Sequence, residues 1–117
     1  MNIKRVTSTN VRKKWTSDPE SYVRRSKRHS LDSLAEDIAN EVGLKKMYVL
    51  ENLFRAIKGL PEPQRTVVYE VCVYRKTMVE YTYQFGMPIQ RVDKYFSEGK
   101  KKLIEYFKNS KEEKENE

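Results

Sequence analysis

The run Thr77-Met78-Val79-Glu80, the turn Gly86-Met87-Pro88 and the helix opening Ile89-Gln90-Arg91-Val92-Asp93-Lys94 decide how this chain folds. Thr77 and Glu80 have the spacing of a capping box. The hydroxyl accepts from the amide three residues on, and the carboxylate returns to the cap amide. Met78, Tyr81 and Phe85 then give a short apolar face. Gly86 suits a left-handed helix end, and Pro88 is tolerated in the first turn of the next helix. In that next helix Ile89, Val92, Phe96, Leu103 and Phe107 recur at helical spacing and fall on one side. Gln90, Lys94, Ser97 and Lys101 line the opposite side, with Arg91 at its margin. Such a stripe fits a solvated face, and it also fits one that reaches base edges and phosphates in a major groove.

Upstream, Leu60-Pro61-Glu62 opens another helix carrying Val67, Val68, Val71, Cys72 and Tyr74. Three short helices with a glycine-containing turn before the last fit a helix-turn-helix with its supporting helix. The expected class is therefore all-α, a small helical domain whose DNA-binding part spans residues 60–108.

The run Leu60-Pro61-Glu62-Pro63-Gln64-Arg65-Thr66-Val67 resembles the Leu-Pro-Glu-x-Gln-Arg-x-Val opening of region 4 in sigma-70 family transcription factors. The similarity continues through Glu80, Gly86, Val92 and the basic-apolar Lys100 to Leu103, covering about 45 of 117 residues. The resemblance implies a module that reads promoter DNA with its last helix and touches RNA polymerase. Carried over by position, Gln90, Arg91 and Lys94 are the base readers, while Ser97 and Lys101 lie along the backbone. Thr77 joins them as a candidate DNA contact. Departures are Tyr81 and Thr82 in place of the usual aliphatic-Ala pair, and Glu98 near the expected DNA face. Gly99 stands mid-helix where Ala is common, at a cost of roughly 0.5–1 kcal/mol. The 59 residues before Leu60 are too few for the larger promoter-melting domain of sigma factors. The closer architectural likeness is to small phage and mobile-element regulators of the ArpU type.

Charged residues make up 35% of the chain and the formal net charge is +7. Residues 1–29 hold nine Lys/Arg against two acids, a net +7; residues 30–59 carry −1, residues 60–108 carry +3 and residues 109–117 carry −2. The N-terminal quarter is thus drawn to polyanions, of which nucleic acid is the commonest in a cytoplasm. Within this basic arm, Arg12, Lys13, Lys14, Arg24 and Arg25 are candidate phosphate contacts. Ser17-Asp18-Pro19-Glu20 has the form of a capping box for a short helix, so Arg24 to Arg28 also read as a dipole-matched, solvated helix end. Trp15 and Tyr22 read as anchors onto the core or as stacking residues.

Residues 30–59 read as a helical scaffold. Ser33 offers a cap for a face of Leu34, Ala35, Ile38, Ala39 and Val42, and Gly43 breaks it. Met47, Leu50, Leu53, Phe54 and Ile57 continue in a second helix ending near Gly59. These faces are core, or a dimer or partner surface. His29 reads as a surface residue near a helix start, and residues 109–117 as a disordered charged tail. The single Cys72 lies on an apolar face, where a buried structural thiol and a reducing, cytoplasmic setting are expected.

No apolar run approaches the roughly 20 residues that span a bilayer, so no membrane association is expected. There is no Gly-rich phosphate loop, no Cys/His metal spacing and no nucleophile elbow; neither an enzyme nor a cofactor is expected. The leading expectation is a sequence-specific regulator binding double-stranded DNA, as a homodimer or alone in contact with RNA polymerase. A packaging or recombination accessory protein, similar to a small terminase subunit, is a second reading. A polymerase- or sigma-binding module with little DNA affinity is a third.

Overall fold

A computed structural model describes residue 23 and residues 25–116, with side chains to residue 111. The fold is all-helical. After residues 28–30, which have no regular secondary structure, come α1 (Leu31–Val42), α2 (Lys46–Lys58), α3 (Gln64–Cys72), α4 (Met78–Phe85) and α5 (Ile89–Asn116). The arm residues Arg12, Lys13, Lys14 and Arg24, with Trp15, Tyr22 and the motif at 17–20, lie outside the described residues.

Local chemistry sets most boundaries. α1 is capped one turn earlier than the sequence suggests. Ser30 is the N-cap, its hydroxyl accepting from the Ser33 amide at 3.1 Å while Ser33 Oγ accepts from the Ser30 amide at 3.0 Å. Ser33 is therefore the third helical residue of the box, not the cap. Gly43 ends the helix with φ 75°, as the sequence indicates. α4 begins at the expected box: Glu80 N donates to Thr77 Oγ1 at 3.0 Å, and Thr77 N donates to Glu80 Oε1 at 2.9 Å. Gly86, with φ 70°, closes α4, and Met87-Pro88 leads directly into α5. The helix expected from Leu60 starts only at Gln64. There Glu62 accepts from the Thr66 amide at 3.0 Å and from its hydroxyl at 2.7 Å.

α5 is the post on which the rest stands. Its 28 residues extend about 42 Å at roughly 1.5 Å per residue, and α1, α2, α3 and α4 all pack on it. Ile89, Val92, Phe96, Leu103 and Phe107, the stripe read from sequence, are all buried, in one core with Leu34, Ile38, Leu53, Ile57, Val67, Val71 and Met78. In α2 the register differs from the sequence reading. Val49, Leu53, Ala56 and Ile57 face inward, while Met47 and Phe54 are exposed. Phe85 and Tyr74, also expected on apolar faces, are exposed, Tyr74 lying beyond the end of α3.

Two features of α5 correct the sequence reading. The helix continues to Asn116, through residues expected to be disordered. Its later turns are anchored: Ser110 Oγ lies 2.9 Å from the Tyr48 hydroxyl, and Lys111 Nζ donates to the Val42 carbonyl at 3.1 Å. Lys and Glu are strong helix formers, so a docked helix propagates into them. Gly99, for its part, is buried where α3 crosses α5. A Cβ built there would lie 2.6 Å from Val68 Cγ2 and 3.5 Å from Gln64 Cβ. The glycine is the condition for that crossing rather than a tolerated weakness.

Gly99→Ala is therefore expected to destabilise by about 1–3 kcal/mol through overpacking, against a propensity gain of up to roughly 1 kcal/mol. Urea unfolding of Gly99→Ala, Val68→Ala and the double variant checks this. Val68→Ala should restore part of the loss, and a stabilised Gly99→Ala single variant would remove the close-crossing explanation.

Candidate nucleic-acid interface

The outward side of α5 begins just after the Gly86 turn. Gln90, Arg91 and Lys94 occupy its first two turns and are exposed. Lys101 is exposed further along the same side, and Ser97 between them is half-buried. Steps of three and four residues put Gln90, Lys94, Ser97 and Lys101 in one row. Arg91, Lys94 and Lys101 have no ion-pair partner among the described residues.

The acids of this helix are handled separately. Asp93, between that row and the apolar stripe, is only 5% exposed and accepts from Arg25 Nε at 2.9 Å. Glu98 does not stand out from the face as the sequence suggests. It is half-buried and accepts from Gln64 Nε2 of α3 at 2.8 Å. Glu105 remains exposed one turn beyond Lys101.

Several candidates change role. Arg25, expected on phosphate, is largely covered and carries the counter-charge for a buried carboxylate. Thr77 is buried, and its hydroxyl accepts from the Glu80 amide, so it caps α4 rather than presenting to a ligand. Arg28, read with the arm as a helix end, grips the start of α4. It donates to both carboxylate oxygens of Glu80, at 2.6 and 3.2 Å, and to the Arg75 carbonyl at 3.0 Å. His29 stands next to the N-cap of α1, as expected of a residue near a helix start. It is half-buried, however, with its ring 4.9 Å from that of Phe96. Residues 25–30 thus form a strap that binds α4 and α5 to each other. Sequence reading missed Asp93 and Glu80 as its anchors. An acidic residue adjoining the apolar stripe was the available signal for Asp93, and it named no partner.

Electrostatics follow the geometry. The Arg28 guanidinium, then the Thr77 amide, hold the Glu80 carboxyl at about 2, below its usual 4.5. Burial pushes the Cys72 thiol up to about 12, so it stays protonated and unreactive, as a structural cysteine does. Every buried side-chain nitrogen or oxygen among the described residues has a hydrogen-bond partner. Among those residues there is no group of three His, Cys, Asp or Glu placed to hold a metal. No helix among them is long and apolar enough to cross a membrane.

No family model, curated protein or solved structure matches the chain. The resemblance to region 4 accordingly rests on its motif residues alone.

Two outcomes follow from the strap. A carboxyl held at about 2 when folded and near 4.5 when unfolded contributes stability that is complete above pH 4.5 and is lost as pH falls towards 2. Glu80→Gln should flatten the stability profile between those pH values while leaving its shape above pH 5 unchanged, as followed by chemical unfolding at each pH. Asp93→Ala should cost more than removing an exposed charge, on the order of 2–4 kcal/mol, because it leaves Arg25 covered and unpaired. A loss within 0.5 kcal/mol would show that Arg25 simply swings into water.

Proposed function

We propose that this protein is a sequence-specific regulator of transcription that binds double-stranded DNA with α5 in a major groove. One observation carries the reading: the first turns of α5, following a glycine turn, expose Gln90, Arg91 and Lys94, and the two cations have no ion-pair partner among the described residues. Recognition helices of helix-turn-helix proteins contact base edges with their N-terminal residues. An amide reads adenine and a guanidinium or ammonium reads guanine in that groove. In this mechanism α4 crosses above the groove, α3 and the scaffold α1–α2 hold α5 in place, and Lys101 meets the flanking strand. The basic residues of the N-terminal arm supply attraction that does not depend on sequence.

A second surface favours a contact with another protein, and RNA polymerase is the partner the region 4 resemblance suggests. Tyr74 and Phe85 are 59% and 47% exposed, and Lys76 Nζ lies 5.7 Å from the Tyr74 ring and 5.2 Å from that of Phe85. Exposed aromatics beside a cation are common at protein interfaces. This surface lies around α4 and the loop before it, so both contacts can exist in one molecule.

The test is selection of bound duplexes from a random pool at physiological salt, followed by binding measurements with variants. One enriched motif is expected. Lys94→Ala should weaken cognate binding and relax the preference at one or two positions, since a good base contact carries roughly 1–3 kcal/mol of discrimination. Equal loss on cognate and random duplex would remove α5 as the reader. Retention without enrichment would leave only a cationic, non-specific binder.

A further inference from the structure

A groove of about 240 Å³ opens between α1 and α5, directly beside the row that carries Gln90 and Lys94. Ser97, Lys100 and Lys101 stand along it from α5, Asp37 faces them from α1, and His29 closes one end over the Phe96 ring. Lys100 Nζ donates to Asp37 Oδ2 at 3.2 Å, in a pair whose side chains are 34% and 54% exposed. Lys101 has no ion-pair partner among the described residues. Two ammonium groups and a hydroxyl are thus gathered at one place, with a single carboxylate against them among the described residues.

We propose that this groove seats one sugar–phosphate unit of the DNA strand flanking the major groove, held by Lys101, Ser97 and Lys100, and that Asp37 limits its affinity. The assignment rests on the reading of α5 as the DNA-facing helix and extends it to α1. Gln90 and Lys101 are eleven residues apart, which is about 16 Å of helix axis at roughly 1.5 Å per residue. A major groove is only about 12 Å wide. A helix whose first turns read bases therefore carries Lys101 out of the groove and onto the neighbouring strand. The ligand that arrives there is a phosphodiester with its deoxyribose. The apolar wall formed by Leu34, Phe96 and Ile104 suits the sugar, and the two lysines suit the phosphate. Asp37 has two effects: it steers Lys100 in the free protein, and it repels the incoming phosphate. A part-exposed surface pair is weak enough for the phosphate to replace the carboxylate.

The experiment is equilibrium binding of the full chain to a random-sequence duplex and to the selected duplex, between 50 and 300 mM salt. Lys100→Gln and Lys101→Gln should each weaken binding by the same factor on both duplexes. Each should also lower the slope of log affinity against log salt by about one. Asp37→Asn should strengthen both several-fold, a change that misfolding cannot mimic. Glu51→Gln, which removes a charge from α2 outside the groove, separates a local effect from the change in net charge. Unchanged slopes in both lysine variants, or Asp37→Asn no stronger than Glu51→Gln, would overturn the seat while leaving α5 as the reader. A parent chain that binds no duplex even at 50 mM salt would overturn the seat and the reading of α5 together.

Discussion

The crossing of α3 over α5 at Gly99 is the constraint on which the other contacts depend. With Val68 Cγ2 only 2.6 Å from where a Cβ would stand, the two helices meet almost backbone to side chain. That proximity brings Gln64 within reach of Glu98 and places Val67, Val68, Val71 and Cys72 against the α5 stripe. α4 follows α3 after a short loop, so its position over α5 is inherited from the same crossing. The scaffold pair α1–α2 then packs on what remains of α5. Its far end is tied through Tyr48 to Ser110 and through the Val42 carbonyl to Lys111. Four packed neighbours hold this helix of 28 residues and let it present a defined face.

Charge is sorted by the same architecture. Arg25 and Arg28 belong to the most basic part of the sequence, yet both are spent within the fold, on Asp93 and Glu80. Their value lies in position more than in energy. Arg28 with Glu80 is an exposed pair of small worth, while Arg25 neutralises a carboxylate that burial would otherwise make costly. Together they fix where the N-terminal arm joins the domain, between the starts of α4 and α5. The cations left without an ion-pair partner among the described residues include Arg91, Lys94 and Lys101 on the outward side of α5. A strap that consumed those instead would leave the helix neutral.

The sequence made legible whatever is decided within a few residues. The Thr77 box, the Gly43 and Gly86 ends and the α5 apolar stripe depend on local spacing, and each stands as read. What failed depended on a partner distant in the chain. Phe54 and Val49 both fit a helical apolar face, and only the packing of α1 and α5 selects Val49. Glu98 reads as a charge on the outer face until Gln64, 34 residues earlier, draws it in. Arg25 reads as one more cation of the arm until Asp93 is found 68 residues away. Gly99 is the instructive failure. Its propensity cost is visible in sequence, but the reason it is there is a methyl group of another helix. The same limit applies to the site. The exposed row on α5 follows from periodicity, whereas the groove beside it needs α1 in place.

This division bears on how affinity and selectivity separate under the proposed reading. The chain owes its +7 to residues 1–29, and two of the cations there are paired inside the domain. Of the remaining cations there, Lys27 lies within the strap and the others precede it in sequence. Attraction to a polyanion therefore resides mostly in the arm, and it acts on any duplex. Selectivity must come from a rigid element, because only fixed side chains can make the wrong base costly. α5 is that element, locked by Gly99 on one side and by the strap on the other. Loosening either lock would leave the charge, and so the attraction, nearly untouched. The helix would then sample several orientations in the groove, and discrimination between sequences would fall before affinity did.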